Sequence, residues 1–250
     1  MGRNSYRNIE EALALEARLK KREAFKQAEA EAAAVAAGKK PGSKGPKPAK
    51  ANTGGAGEVR IIGGQWRRTR LAVAQRPGLR PTPDRVRETL FNWLQPVLPG
   101  ARVLDLFAGT GALGLEAASR GADRVQLVEA DARLAQALAA AAARLDADGR
   151  VAVRHGDALA FLREDAGAPW DIAFVDPPFA AGLWPAVLAA LPARLASDAW
   201  LYVESPAGHV PALPADWALH RENGTRDVRY ALYRRGTLAT SLNSGGSTTT

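Results

Sequence analysis

The stretch LDLFAGTGALG, Leu104 to Gly114, decides the fold. Its first half is apolar and short, as a buried strand is, and its second half carries Gly109-x-Gly111-x-x-Gly114. Glycines at the mouth of a helix permit a tight turn and let a ligand approach free backbone N–H groups. Small residues also let a helix pack closely on a sheet, so the motif takes its meaning from the sequence on either side.

Downstream, strand-like and helix-like segments alternate. ARVLDLFA is followed by a helix from about Ala112 to Arg120, RVQLVEA by an Ala-rich helix through Arg144, and RVAVRHGDA by a helix near Leu159 to Arg163. WDIAFVDPP then leads into the helix of WPAVLAALPARL, and AWLYVES follows. Strands without polar alternation, each trailed by a helix, predict an α/β fold whose parallel sheet is covered on both faces. WALHRE and VRYALYRR, separated by NGTRD, predict a terminal antiparallel hairpin with Asn-Gly in its turn. Upstream, VRIIGGQWRRTRLAVA alternates apolar and basic residues around Gly63-Gly64, the pattern of a bulged hairpin. Thr82-Pro83-Asp84 then opens a helix whose Val86, Leu90, Trp93 and Leu94 share one face.

Composition divides the 250 residues into four parts. Residues 1–58 hold 12 Lys+Arg against 7 Asp+Glu, and residues 59–100 hold 8 against 2, whereas residues 101–250 are slightly acidic with 14 against 17. All eight lysines lie in the first 50 residues. The first part is partly helical in pattern and dissolves into GKKPGSKGPKPAKANTGGAG, which buries too little apolar surface to offset its ordering entropy. Residues 59–100 form a basic, polyanion-facing front, residues 101–235 the main body, and residues 236–250 an unstructured tail. With no cysteine and three scattered histidines, no metal site is expected. The chain shows neither an export signal nor a membrane span, so a cytoplasmic protein is expected.

Two further acids strengthen the glycine motif. Glu129 follows Gly109 by 20 residues at the end of the next strand, where a carboxylate can accept ribose hydroxyls. Asp157, before Ala158 in HGDA, ends the third strand within reach of an adenine amino group. Asp105 sits in the strand itself, with Phe107 and Ala108 ahead of the glycines; an acid there would repel a pyrophosphate but hold a cationic ligand. Together these features favour an adenosyl cation, S-adenosylmethionine, over a dinucleotide.

DLFAGTGALGLEAASRGA, VQLVEAD, GDA and VDPPF, in that order, resemble the Rossmann-like class I S-adenosylmethionine methyltransferases. RIIGGQWRRTRL, PGLRPTPDRVRETLFNWL and LYVES extend the resemblance to the RsmD family, which methylates the N2 of one guanine in 16S ribosomal RNA; it covers about Val59 to Arg235. The resemblance implies a mostly parallel seven-stranded sheet with a terminal antiparallel hairpin, preceded by an N-terminal β-hairpin and helix. It implies a catalytic turn at Asp176, Pro177, Pro178 and Phe179, in which the Asp176 carboxylate and the Pro177 carbonyl hold the two N2 hydrogens and Phe179 stacks on the extruded base. Arg60, Arg67, Arg68 and Arg70 would meet phosphates, with Trp66 either stacking on RNA or anchoring the hairpin. Arg80, Thr82 and Arg85 would lie over the cofactor and target pocket. The partner would be 16S ribosomal RNA or the assembling small subunit, and nothing marks an obligate protein partner. Two alternatives stay open: a DNA adenine-N6 or cytosine-N4 methyltransferase, and a non-catalytic RNA-binding assembly factor.

Overall fold

The computed structural model describes residues 58–72, 82–145, 147, 149–164, 167–178 and 182–236, together with Lys20 and Glu23. The expectations for residues 1–57, for Arg80 and Phe179, and for the tail beyond residue 236 lie outside the described residues. Seven strands form one sheet: β3 (Arg102–Asp105), β4 (Arg124–Glu129), β5 (Val151–His155), β6 (Trp170–Val175), β7 (Leu195–Pro206), β8 (Trp217–Gly224) and β9 (Val228–Arg235). Their spatial order is β5-β4-β3-β6-β7-β9-β8, and β9 alone runs in the opposite direction to the other six. The order reverses between β3 and β6, and in open parallel sheets the crevice at such a reversal, outside the carboxyl ends, is where ligands sit.

The missing polar alternation has a direct structural cause. Successive side chains of a strand point to opposite faces, and here both faces are core. Val103, Val125, Leu127, Ile172, Phe174 and Tyr202 pack on one side against α1 (Asp84–Leu94), α2 (Ala112–Ser119) and α3 (Ala132–Arg144). Leu104, Val128, Ala173, Val175, Leu201 and Val203 pack on the other against α4 (Ala158–Arg163) and α5 (Trp184–Ala190). Phe174 lies edge-on to both Phe91 and Tyr202, with ring centroids 6.1 Å apart in each pair, an arrangement that adds to simple burial. Helix starts follow from local chemistry. Asp131 accepts from the N–H groups of Arg133 and Leu134 to cap α3, and Asp157 accepts from Ala160 N–H to cap α4.

The basic front departs from a simple bulged hairpin. β1 (Glu58–Arg60) and β2 (Arg70–Ala72) pair antiparallel over only three residues each. The connecting loop instead spends its polar groups on the far end of α2. Gln65 N–H donates to the Ser119 carbonyl at 2.7 Å, Trp66 N–H to Ser119 Oγ at 2.9 Å, and Ser119 Oγ–H to the Gly63 carbonyl at 2.6 Å. Such an approach needs glycine: at Gly64, φ is +75° and an added Cβ would stand 1.9 Å from the Ser119 carbonyl oxygen. Glu116, fully buried in α2, accepts from Ile62 N–H at 2.7 Å, Gly63 N–H at 2.8 Å and Arg120 Nε at 2.6 Å. Arg87 of α1, also fully buried, pairs with Glu116 at 3.5 Å and Asp84 at 2.7 Å, and donates to the Arg60 carbonyl. Removing one member of such a buried pair strands the other charge, so this network clamps hairpin, α1 and α2 together.

At the other end of the chain, the Asn-Gly pair is not the turn. Asn223 and Gly224 complete β8, and the reversal runs through Thr225–Asp227, where Thr225 Oγ1 accepts from Val228 N–H at 3.1 Å. Thr225 N–H also donates to the Val228 carbonyl at 2.8 Å, so Thr225 closes the turn with both backbone and hydroxyl.

Candidate active site

Four neighbouring strands each deliver one carboxylate to the carboxyl edge of the sheet. In spatial order they are Glu129 on β4, Asp105 on β3, Asp176 just past β6, and Glu204 on β7. Registers Asp105↔Phe174 and Val175↔Val203 put these acids at nearly one level. Asp105 is 3% exposed and accepts from Gly114 N–H, inside α2, at 3.0 Å. Glu129 accepts from Gly109 N–H and Asp131 N–H, both at 2.8 Å, and so ties the glycine loop to the end of β4. Asp176 is half-buried, Pro177 buried and Pro178 exposed. A proline cannot donate a ladder bond, which ends β6 and leaves Asp176 at the rim.

The row of acids governs its own protonation. Burial pushes Asp105 up to about 7, helped by Glu129 and Glu204 and opposed by the Gly114 N–H bond. Asp176 is pushed up to about 8, by burial first and then by Glu204 and Asp105. Glu204 is raised by burial and lowered by hydrogen bonds from Tyr202 and Thr82. Among the described residues no Lys, Arg or His pairs with Asp105, Asp176 or Glu204. Clustered buried carboxylates without a counter-cation are unfavourable until a positive ligand arrives. A sulfonium and an ammonium supply that charge, so the donor set fits S-adenosylmethionine. The glycine loop fits as well. Gly111 has φ +75° and caps α2, and a Cβ there would strike Leu138 Cδ2 at 2.5 Å, so only glycine leaves the loop in place.

The other residues singled out in the sequence divide between this edge and the front. Ala108 is buried and donates its N–H to the Val128 carbonyl, and Phe107 is half-buried beside it. Asp157 is exposed as the cap of α4, with Ala158 buried behind it. Thr82 Oγ1–H donates to Glu204 at 3.1 Å, which brings Thr82 to the carboxyl edge of the sheet. Arg85 is exposed on α1, Arg60 stands 3.8 Å from Asp84, and Arg70 pairs with Glu58 at 3.0 Å. Arg67 and Arg68 are exposed and have no carboxylate partner among the described residues; Arg68 holds a left-handed φ of 73°. Their loop docks at the C-terminal end of α2, one helix length, about 12 Å, from the glycine loop. Trp66 is 7% exposed with the Arg150 guanidinium 5.4 Å over its ring, so it anchors the loop and presents no open face for a base.

Sequence reasoning missed Glu204 and Tyr202 as site residues. The signal was present: YVES puts an acid near the carboxyl end of β7, as LDLF, LVEA, HGDA and FVDP do at or just past the ends of the strands before it.

The sequence profile of the family described as "Conserved hypothetical protein 95" matches residues 59–234. The chain belongs to that family. Conserved hypothetical protein 95 relatives include the ribosomal RNA small subunit methyltransferase D of Escherichia coli K12, 50% identical over 189 residues, 74% of this chain and 94% of that protein. The protein of the same name from Haemophilus influenzae is 41% identical over 182 residues, 71% of this chain and 94% of that one. Among solved structures, the Escherichia coli protein described as "Putative methyltransferase yhhF" superposes with a TM-score of 0.66 at 50% identity, covering 72% of this chain and 99% of that one. The family match leaves residues 1–58 and 235–250 outside. The mostly parallel seven-stranded sheet with its terminal antiparallel hairpin is therefore the Rossmann-like methyltransferase fold of these proteins.

Proposed function

We propose that the protein transfers a methyl group from S-adenosylmethionine to the exocyclic N2 of a guanine in 16S ribosomal RNA. The observation that carries this is the Asp176–Pro177 turn set beside the glycine loop in a row of carboxylates that no cation pairs with among the described residues, in a chain 50% identical over 189 residues to a small-subunit ribosomal RNA methyltransferase. When bound, S-adenosylmethionine supplies a methyl group made electrophilic by its sulfonium.

The chain's residues do the rest. Gly109, Gly111 and the buried Ala108 shape the floor of the cofactor site, Glu129 meets the ribose hydroxyls, and Asp105 balances positive charge. Asp157 and Ala158 meet the adenine from the neighbouring strand. The N2 lone pair of guanine is delocalised into its ring, so the amine attacks only when its hydrogens are held out of plane. The Asp176 carboxylate and the Pro177 carbonyl accept those two hydrogens and aim the lone pair. Asp176 accepts most strongly when ionised, and positive charge on the acidic row lowers its proton affinity toward that form. Phe179, which follows Pro178 in the sequence, stacks on the extruded base, because a stacked base does not reach the site. Arg60, Arg67, Arg68, Arg70, Arg80 and Arg85 contact phosphates and fix register, and Trp66 supports them from within the core. The partner is 16S ribosomal RNA or the assembling small subunit that contains it.

The test is direct. Protein is incubated with labelled S-adenosylmethionine and unmodified small-subunit particles, and the methylated nucleotide is mapped by mass spectrometry. A single N2-methylguanine in 16S ribosomal RNA is expected. Label on DNA adenine or cytosine, or none on RNA, defeats the proposal.

A further inference from the structure

Glu204 has no role in the mechanism above, yet it is 6% exposed and more enclosed than Asp176. Two hydroxyls converge on its Oε1: Tyr202 OH at 2.8 Å, from two residues earlier on the same strand face, and Thr82 Oγ1 at 3.1 Å, from the basic front. Tyr202 is itself fully buried and held edge-on by Phe174. Each neighbouring element presents a group. β6 brings Asp176, β3 brings Asp105, and β9 places Tyr230 opposite Glu204 with its ring stacked on Trp93 of α1 at 5.8 Å. No cation pairs with Glu204 among the described residues. A buried acid held by two hydroxyls beside a second acid is a costly arrangement for packing alone, since an apolar side chain would fill the space more favourably.

We propose that Glu204 is a positioning residue for methyl transfer: fixed by Tyr202 and Thr82, it stands beside Asp176 and makes that carboxylate the destination of the proton leaving the methylated amine. This rests on the function proposed above. After transfer the amine carries the methyl group, two hydrogens and a positive charge. One N–H bond breaks, its electron pair stays on nitrogen, and an O–H bond forms on Asp176. A like charge next door raises the proton affinity of Asp176, and the two acids titrate as a pair. Burial and Glu204, in that order, are the leading causes that hold Asp176 up near 8. Because Thr82 belongs to the RNA-facing front, the same hydroxyl also links that segment's placement to the acid pair.

Glu204→Gln keeps shape and an acceptor for both hydroxyls while deleting the charge. Two readouts are taken: the pH profile of single-turnover methyl transfer, and proton release on S-adenosylmethionine binding, by calorimetry in buffers of different ionisation enthalpy. In Glu204→Gln the acidic limb of the profile moves down by on the order of one pH unit, and fewer protons are released near neutral pH. Thr82→Val removes one of the donors that favour ionised Glu204, so Glu204 holds its proton more readily, presses less on Asp176, and the limb moves down by less than in Glu204→Gln. Downward shifts in both, the larger in Glu204→Gln, support the proposal. An unchanged profile and proton count in folded Glu204→Gln, or an upward shift in either variant, overturns it. If the unmutated protein binds cofactor yet methylates no RNA, the proposed function fails, and the calorimetric proton count still decides whether Glu204 sets the protonation of Asp176.

Discussion

Replacing Gly64 with alanine should undo the docking of the basic loop. The native φ of +75° costs a non-glycine residue about 1–2 kcal/mol. The new Cβ would lie 1.9 Å from the Ser119 carbonyl oxygen and 2.3 Å from its carbon, and both are backbone atoms that no rotamer change can move. The loop must back away, and the three bonds that join Gly63, Gln65 and Trp66 to Ser119 are lost at about 1 kcal/mol each. The expected loss is about 4–5 kcal/mol, a large share of the roughly 5–15 kcal/mol that holds a domain folded. Gly63→Ala is the control. Its Cβ would meet the Arg120 guanidinium at 2.5 Å, the end of a flexible side chain, so relief costs little beyond loosening the Arg120–Glu116 pair, about 1–2 kcal/mol. Urea unfolding followed by circular dichroism measures both. If Gly64→Ala lies within about 1 kcal/mol of the unmutated protein, or is no worse than Gly63→Ala, the close approach of loop and helix is wrong.

Other outcomes are equally concrete. Asp176→Ala should abolish methyl transfer while calorimetry still detects cofactor binding; retained turnover would remove Asp176 from the chemistry. Glu129→Ala should weaken cofactor binding by about 1–3 kcal/mol, since it frees the Gly109 N–H as well as removing an acceptor. Arg67→Ala with Arg68→Ala should lower RNA affinity and flatten its logarithmic salt dependence by about 1 for each phosphate left without its arginine, read by filter binding across a salt series. Asp105 and Asp176 hold protons more tightly folded than unfolded, at about 7 and about 8. Their contribution to stability is therefore complete below the unfolded carboxylate range and declines as pH rises toward those values. Cofactor binding should accordingly raise the melting temperature more at about pH 8 than at about pH 6, by differential scanning fluorimetry.

Much of this was legible in the sequence. Parallel strands announced themselves because both faces are buried, so Val103 and Leu104, or Phe174 and Val175, are all apolar. Strand-end acids were legible because an acid closing an apolar run has few structural uses. The loop of residues 61–69 was not, because its conformation depends on Ser119 and Glu116, more than 50 residues away. Glu116 inside GLEAAS reads as the polar face of an amphipathic helix, whereas every residue of α2 is buried. Trp66 fell between two readings for the same reason: local sequence does not show that Arg150 covers its ring. Glu204 obeyed the strand-end rule and was overlooked because no motif framed it.

The composition boundary near residue 100 is not a seam in the molecule. Ile61, Trp66, Leu71, Leu90 and Phe91 share one core with Val103, Val125, Phe174 and Tyr202. The basic front is thus not a cassette that could be traded for the recognition module of another enzyme, because excising it would open the sheet's own interior to water. If the proposed function holds, retargeting this scaffold to a different RNA has to proceed by recolouring the arginines on its skin, with the apolar residues beneath them left untouched.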